Sequence, residues 1–370
     1  MIDRRSFLKR SSALLLSFAA TGCNTSGSRS APTPQNPRVR RSVKTLSASE
    51  RQQYVDAVLA LKSTQSPFDP SLSYYDQLVA FHREAVRYGR VHLGYAVAHE
   101  TPAFLPWHRK LMLLIEDAIR ELAFPDFTLP YWDWTDPESL DIIFTTDFMG
   151  PLIGDSSDNY AVNAGPFRKG EFPLGITPIP LGDTDAGSQC PFTFLTRGPK
   201  TIPLPTAEEV ADMMALTRYS APPYDNSIDY ALSFNNTMLG IPNEEGMDPF
   251  LHSAVHTYVG GTWEGTYYDP GFNQHDITYQ GSMTVLDASP NDPVFFLHHC
   301  NVDRLWAEWE RVNGNIYEPE SGYNLYFNLD DQFYPFLQFA DNPRMASYGM
   351  TPGSMLDIEP LGFTYDTLLS

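Results

Sequence analysis

Cysteine is nearly absent: the 370 residues contain three, Cys23, Cys190 and Cys300. That is too few for a disulfide scaffold or a cysteine-built zinc site. Basic charge is also scarce. Against 45 Asp and Glu stand 25 Lys and Arg, a formal net charge of -20, which argues against a surface that tracks phosphates, so no nucleic-acid partner is expected. No apolar run reaches the ~20 residues that a membrane-spanning helix needs. There is no HExxH helix of a zinc protease and no paired carboxylate set of the di-iron kind. What the chain does have is 42% apolar and 13% aromatic residues, a globular composition that can fill a large core. The acidity then reads as a solvated surface.

The N-terminus carries an address. DRRSFLKR (3–10) precedes the apolar run ALLLSFAA (13–20), and together they look like a twin-arginine export signal. The run ends in ATGC, which resembles a lipoprotein cleavage box before Cys23. Residues 1–22 are therefore expected to be a signal, with either a lipid anchor on Cys23 or ordinary cleavage. The destination is the bacterial periplasm or cell surface. Residues 23–45, polar and rich in Ser and Pro, read as a flexible tether. Cys190 and Cys300 either pair or stay as buried thiols.

Order is expected from LSASERQQYVDAVLALK (46–62), where Ser47 and Glu50 form a capping box and Tyr54, Val55, Val58 and Leu61 share a face. The stretch from 136 to 240 is rich in Pro, Gly, Asp and Thr and carries one short helix signal, TAEEVADMM (206–214). Long connections of this kind tend to be functional or to cover something. Residues 46–370 read as one mainly α domain.

The nine histidines fall in two clusters on either side of that connection. In YYDQLVAFHREAVRYG, His82 shares a face with Tyr75, Leu78 and Ala85, and Gly89 suits the helix end. In FLPWHRKLMLLIEDAIREL, His108 shares a face with Phe104, Leu111, Ile115 and Ile119. Between them VHLGYAVAHETP has no helical period, so His99 belongs to a loop. Downstream, Asp248 and Pro249 open a short helix in which His252 and His256, at i and i+4, are stacked neighbours. In FFLHHCNVDRLW the period leaves two choices: His299 lies with Phe295, Val302 and Trp306, and His298 with Val294, Leu305 and Trp309. A single inward histidine is ordinarily a hydrogen-bonded core residue. Several in one domain, lacking a shared partner, would each leave nitrogens unmet at ~1 to 3 kcal/mol. A metal supplies that partner, and sites built only of neutral imidazoles suit copper.

YDQLVAFH, AHETPAFLPWHRKLMLLIEDAI, LPYWDW, HSAVHTYVGG and SPNDPVFFLHHCNVDRLWAEW, in this order, resemble the tyrosinase family of coupled binuclear copper proteins. LDIEPLGFTYD (356–366) is similar to the end of that family's catalytic domain. The resemblance implies a mainly α fold: a four-helix bundle core holding a binuclear copper site, with long loop-rich insertions and few short strands. It implies two copper ions, one on His82, His99 and His108 and the other on His252, His256 and His299, with O2 as co-substrate. His298 is then a buried neighbour, and His92 and His275 are loop residues. Asp303, one turn after His299, is placed to fix the tautomer of that ligand. Phe295 is expected to border the opening for a small phenolic substrate stacking near His299.

Members that hydroxylate phenols resemble one another in an Asn after the first ligand of the second copper and an upstream Glu, a pair that orients a water. Here Ser253 stands at the first position, and Glu244 or Glu245 is available for the second. A hydroxyl orients water less well than an amide does. The implied activity is thus oxidation of o-diphenols or o-aminophenols to o-quinones, with monophenol hydroxylation weakened. The alternatives are a non-catalytic O2-binding protein and another metal-binding envelope protein.

Overall fold

The computed structural model describes residues 37–122, 124–177, 188–189, 191–225, 232–240, 251–268 and 274–369. The stretch expected to be an export signal, Cys23 and most of the expected tether lie outside these residues, as do Cys190, Glu244, Glu245, Asp248 and Pro249. Among the described residues no helix is long and apolar enough to cross a membrane.

The helices that matter for the site are α1 (Ala48–Ser63), α2 (Tyr74–His92), α3 (Phe104–Leu122), α4 (Pro137–Ile143), α5 (Ala207–Met214), α6 (Phe234–Leu239), α7 (Leu251–Gly260) and α8 (Val294–Asn313). Their starts follow from local chemistry. The Ser47 hydroxyl accepts from the Glu50 amide, and the Glu50 carboxylate accepts from the Ser47 amide at 2.8 Å. Thr206 and Glu209 repeat this reciprocal cap on α5. Ser73 caps α2, and Asp136 caps α4 with Pro137 behind it, where a missing N–H costs nothing.

Gly89 does not end α2, which runs on to His92. A Cβ on Gly89 would lie 2.2 Å from the Tyr95 carbonyl oxygen, so this glycine serves the close return of the chain. Gly94, at φ +86°, takes the terminating role, and its amide donates to the Gly89 carbonyl at 3.0 Å.

Helices α2, α3, α7 and α8 make the core bundle, with α1 packed against α2 and α3. α3 lies along α8, where the Arg109 guanidinium sits 3.6 Å over the Trp306 ring. The start of α8 is pinned from several sides. The hydroxyls of Tyr54 and Tyr75 donate to the carbonyls of Pro293 and Pro290 at 2.8 Å each. Arg197 forks onto Asp292 at 2.8 and 2.9 Å with both side chains fully buried, and Asp292 also accepts from the Val294 amide.

The strands are few: β1 (Arg38–Arg40), β2 (Ser188–Gln189), β3 (Thr262–Tyr268), β4 (Gln274–Gln280) and β5 (Phe363–Tyr365). β3 and β4 pair antiparallel from Thr262 with Gln280 to Tyr268 with Gln274, and β2 joins β4 in parallel. His275, expected in a loop, lies in β4 opposite Tyr267. Gly261, at φ +66°, makes the turn from α7 into β3.

The end of the expected tether is folded. β1 pairs in parallel with β5, and Arg40 is fully buried. Charge reads as solvation in a sequence, but here it is drawn inward. Arg40 bonds Glu116 at 3.1 and 3.2 Å and Asp303 at 3.0 Å; Arg109 bonds Asp303 at 2.5 Å and Glu310 at 3.0 Å; and the Tyr365 hydroxyl donates to Asp303 at 2.5 Å. Arg38–Arg40, within the stretch expected to be tether, is thus held against the C-terminal strand Phe363–Tyr365.

Asp303, expected to serve His299, is committed to these two guanidiniums and one phenol. Removing one member of a buried ion set strands the others. Asp303→Asn is expected to lower stability by roughly 3 kcal/mol, read as a shift of the urea midpoint at unchanged slope.

Cys300 is a buried free thiol, pushed up to about 12 by burial, and its sulfur lies 3.5 Å from the Leu129 carbonyl oxygen.

Candidate metal centre

Each half of the bundle brings three imidazoles together. α2 supplies His82 and α3 supplies His108, while His99 enters from the loop between them; ring centroids are 4.8 Å apart for His82 and His99, 4.9 Å for His99 and His108, and 5.5 Å for His82 and His108. α7 supplies His252 and His256 and α8 supplies His299. The two groups meet face to face: the His108 and His299 rings stack at 4.4 Å and 15°. All six are buried.

Main-chain carbonyls fix the rings. Nδ1 of His82 lies 3.1 Å from the Asp287 oxygen, that of His108 2.8 Å from Phe104, that of His252 3.2 Å from Leu239, and that of His256 2.7 Å from Met283. A carbonyl only accepts, so in each case Nδ1 carries the proton and Nε2 keeps a bare lone pair. Burial pushes His82 down to about 3 and His256 to about 4. For His99, His108, His252 and His299 burial comes first and neighbouring imidazoles second, and both hold the rings well below the usual value. The rings are neutral donors.

Those lone pairs have nothing to meet. Nε2 of His82, Nε2 of His108 and both nitrogens of His99 are buried without a partner. In the other group the Nε2 atoms of His252, His256 and His299 stand 3.0, 3.2 and 3.3 Å from one another. The bare lone pairs of His252 and His256 repel at 3.0 Å, and a cation between them turns the arrangement into an attraction. Three nitrogens at ~2.0 to 2.1 Å from one tetrahedral metal would lie about 3.3 Å apart, so the donor set fits a metal ion.

The family model for the common central domain of tyrosinase matches residues 72–312. The chain belongs to the tyrosinase family. It is similar to a tyrosinase from Streptomyces lincolnensis, with 30% identity over 333 residues that span 89% of this chain and 99% of the relative. It is also similar to grixazone synthase from Streptomyces griseus, with 33% identity over 289 residues, 75% of this chain and 86% of the relative. Among solved structures, a polyphenol oxidase from Thermothelomyces thermophila shares the fold at TM-score 0.54 and 21% identity, covering 89% of this chain and 90% of the other. A functional unit of octopus hemocyanin does so at TM-score 0.52 and 20% identity, covering 89% and 68%. A family of binuclear copper oxidases accounts for two facing groups of imidazoles, and this tyrosinase-family chain is a copper oxidase of that type.

The remaining expected site residues fare differently. Phe295 is fully buried, stacked on His299 at 4.0 Å and 27°, and edge-on to His82 at 5.3 Å and His256 at 5.8 Å. One turn before His299 on α8, it fills the space under both groups. Ser253 stands next to the second group, and its hydroxyl donates to the Leu239 carbonyl at 2.8 Å, the same oxygen that holds His252. Phe104, not foreseen as part of the site, lies 4.9 Å from His108 and 4.8 Å from His252. His92 is exposed at the end of α2. His298 joins the second group, with a ring nitrogen within 4.8 Å of those of His252, His256 and His299. Nothing in the sequence marks the carbonyls of Leu239, Met283 and Asp287 as supports, since every residue has one.

Proposed function

We propose that this chain is a polyphenol oxidase that oxidises o-diphenols, or related o-aminophenols, to o-quinone products with O2 as acceptor. His82, His99 and His108 hold one copper ion in this reading, and His252, His256 and His299 the other. Bound there, the copper pair supplies two-electron reduction of O2. The protein's share is positional. Four carbonyls fix the tautomer and tilt of His82, His108, His252 and His256, and Phe295 and Phe104 keep the imidazole walls dry.

The observation that carries the preference for diphenols is the state of Ser253. Its single hydroxyl proton is spent on Leu239, so toward a water it can accept but not donate. A phenol must lose its proton before ortho-hydroxylation, and the amide that would orient a base for this is missing. A catechol loses a proton more readily and needs that help less. Relatives at 30% and 33% identity carry different names, tyrosinase and grixazone synthase, so the substrate reading rests on Ser253.

The test is oxygen uptake by copper-loaded protein on catechol, tyrosine and o-aminophenol side by side. Catechol or o-aminophenol is expected to be consumed at once and tyrosine slowly. Uptake on none of the three contradicts the proposal.

A further inference from the structure

His298 is fully buried, and neither ring nitrogen has a hydrogen-bond partner. Its ring lies 5.1 Å from that of His252, nearly parallel at 20°, and 4.8 Å from those of His256 and His299. Burying an imidazole with both nitrogens unmet is costly, and a phenylalanine would fill the same space without that cost. A partner that comes and goes removes the difficulty.

His298 also meets Trp134 at 5.2 Å. Trp134 also lines a surface groove of about 200 Å³, along with Asp133, Asn301, Arg304 and Glu308. Arg304 donates to Glu308 at 2.8 Å and to Asn301 at 2.9 Å, while Asp133 stands 3.9 Å from it. Two carboxylates against one guanidinium leave the groove favourable to a cation. His298 thus touches both a residue of the groove wall and the imidazoles of the second group.

We propose that His298 is the capture ligand of that group: it takes a Cu(I) ion arriving past Trp134 and yields it to His252, His256 and His299. The step is ligand exchange. The copper bond to a His298 nitrogen breaks as bonds to the three Nε2 atoms form, and no electron or proton moves. The exchange runs inward because three preorganised imidazoles outcompete one. It rests on the reading of both groups as copper sites.

The test follows copper uptake by the apo protein from Cu(I) in acetonitrile, timed by stopped-flow competition with a chromophoric Cu(I) chelator. Bound copper is then counted after gel filtration. Wild type is expected to take up two coppers. His298→Phe should reach the same content, with uptake of one of the two slowed at least tenfold. Unchanged rates would overturn the proposal and leave His298 a buried neighbour, its nitrogens met by water. A copper missing at equilibrium would also overturn it, since His298 would then be a permanent ligand or a support of the fold.

Trp134→Leu thins the wall and leaves every imidazole of the second group in place as a residue. It should speed uptake in the wild-type background and not in His298→Phe; equal acceleration in both contradicts the proposal. If wild type binds no copper, the assignment of both groups fails together with the capture role.

Discussion

Copper-free protein taken from pH 7 toward pH 4 is expected to unfold, while the copper-loaded protein resists. The sign follows from burial. An exposed histidine titrates near ~6.5, whereas His82 is pushed down to about 3 and His256 to about 4 in the folded chain. As pH falls below the free value, the unfolded chain binds protons that the folded chain refuses. Stability that is fully present above pH ~6.5 is then lost as pH falls toward the folded values, at ~1.4 kcal/mol per pH unit for each such ring. Two rings over this window remove several kcal/mol from a total of about 5 to 15, and the other buried imidazoles act in the same direction. Copper bound only to the folded form opposes this by mass action. Circular dichroism against pH, with and without copper, measures both curves. A flat apo curve between pH 7 and pH 4 would contradict the neutral, buried state of these rings.

The second large effect concerns Ser253. A positioned general base typically contributes ~10² to 10⁴ in rate, and here the hydroxyl that would orient it is bound to Leu239. Diphenol turnover is therefore expected to exceed monophenol turnover strongly. Ser253→Asn restores amide donors beside His252 and should raise the monophenol rate more than the diphenol rate, read as separate kcat values. Equal shifts of both rates would place substrate choice elsewhere, in the connection between 136 and 240.

How far the sequence foretold this depends on the kind of interaction. Helical period places His82 and His108 inward because a 3.6-residue repeat ties them to Leu78 and to Leu111 and Ile115. The reciprocal cap at Ser47 is visible because its two residues, Ser47 and Glu50, stand three apart in the sequence. The period alone does not separate His298 from His299, and both in fact lie buried beside the second group.

Long-range partners stay hidden. Arg40 looks like part of a solvated tether until Glu116 and Asp303, far along the chain, draw it in. Asp303 looks like a support for His299 until Arg40, Arg109 and Tyr365 claim it. Phe295 has the spacing of a site residue, yet spacing does not say whether a ring faces a cavity or fills one.

Copper content is the most direct measurement of whether these two groups of imidazoles are metal sites. Wild-type protein reconstituted with copper and freed of excess metal is expected to hold two ions per chain. His108→Ala and His299→Ala should each hold about one, and His275→Ala two. Two coppers retained in His299→Ala, or none in the wild type, would contradict the assignment.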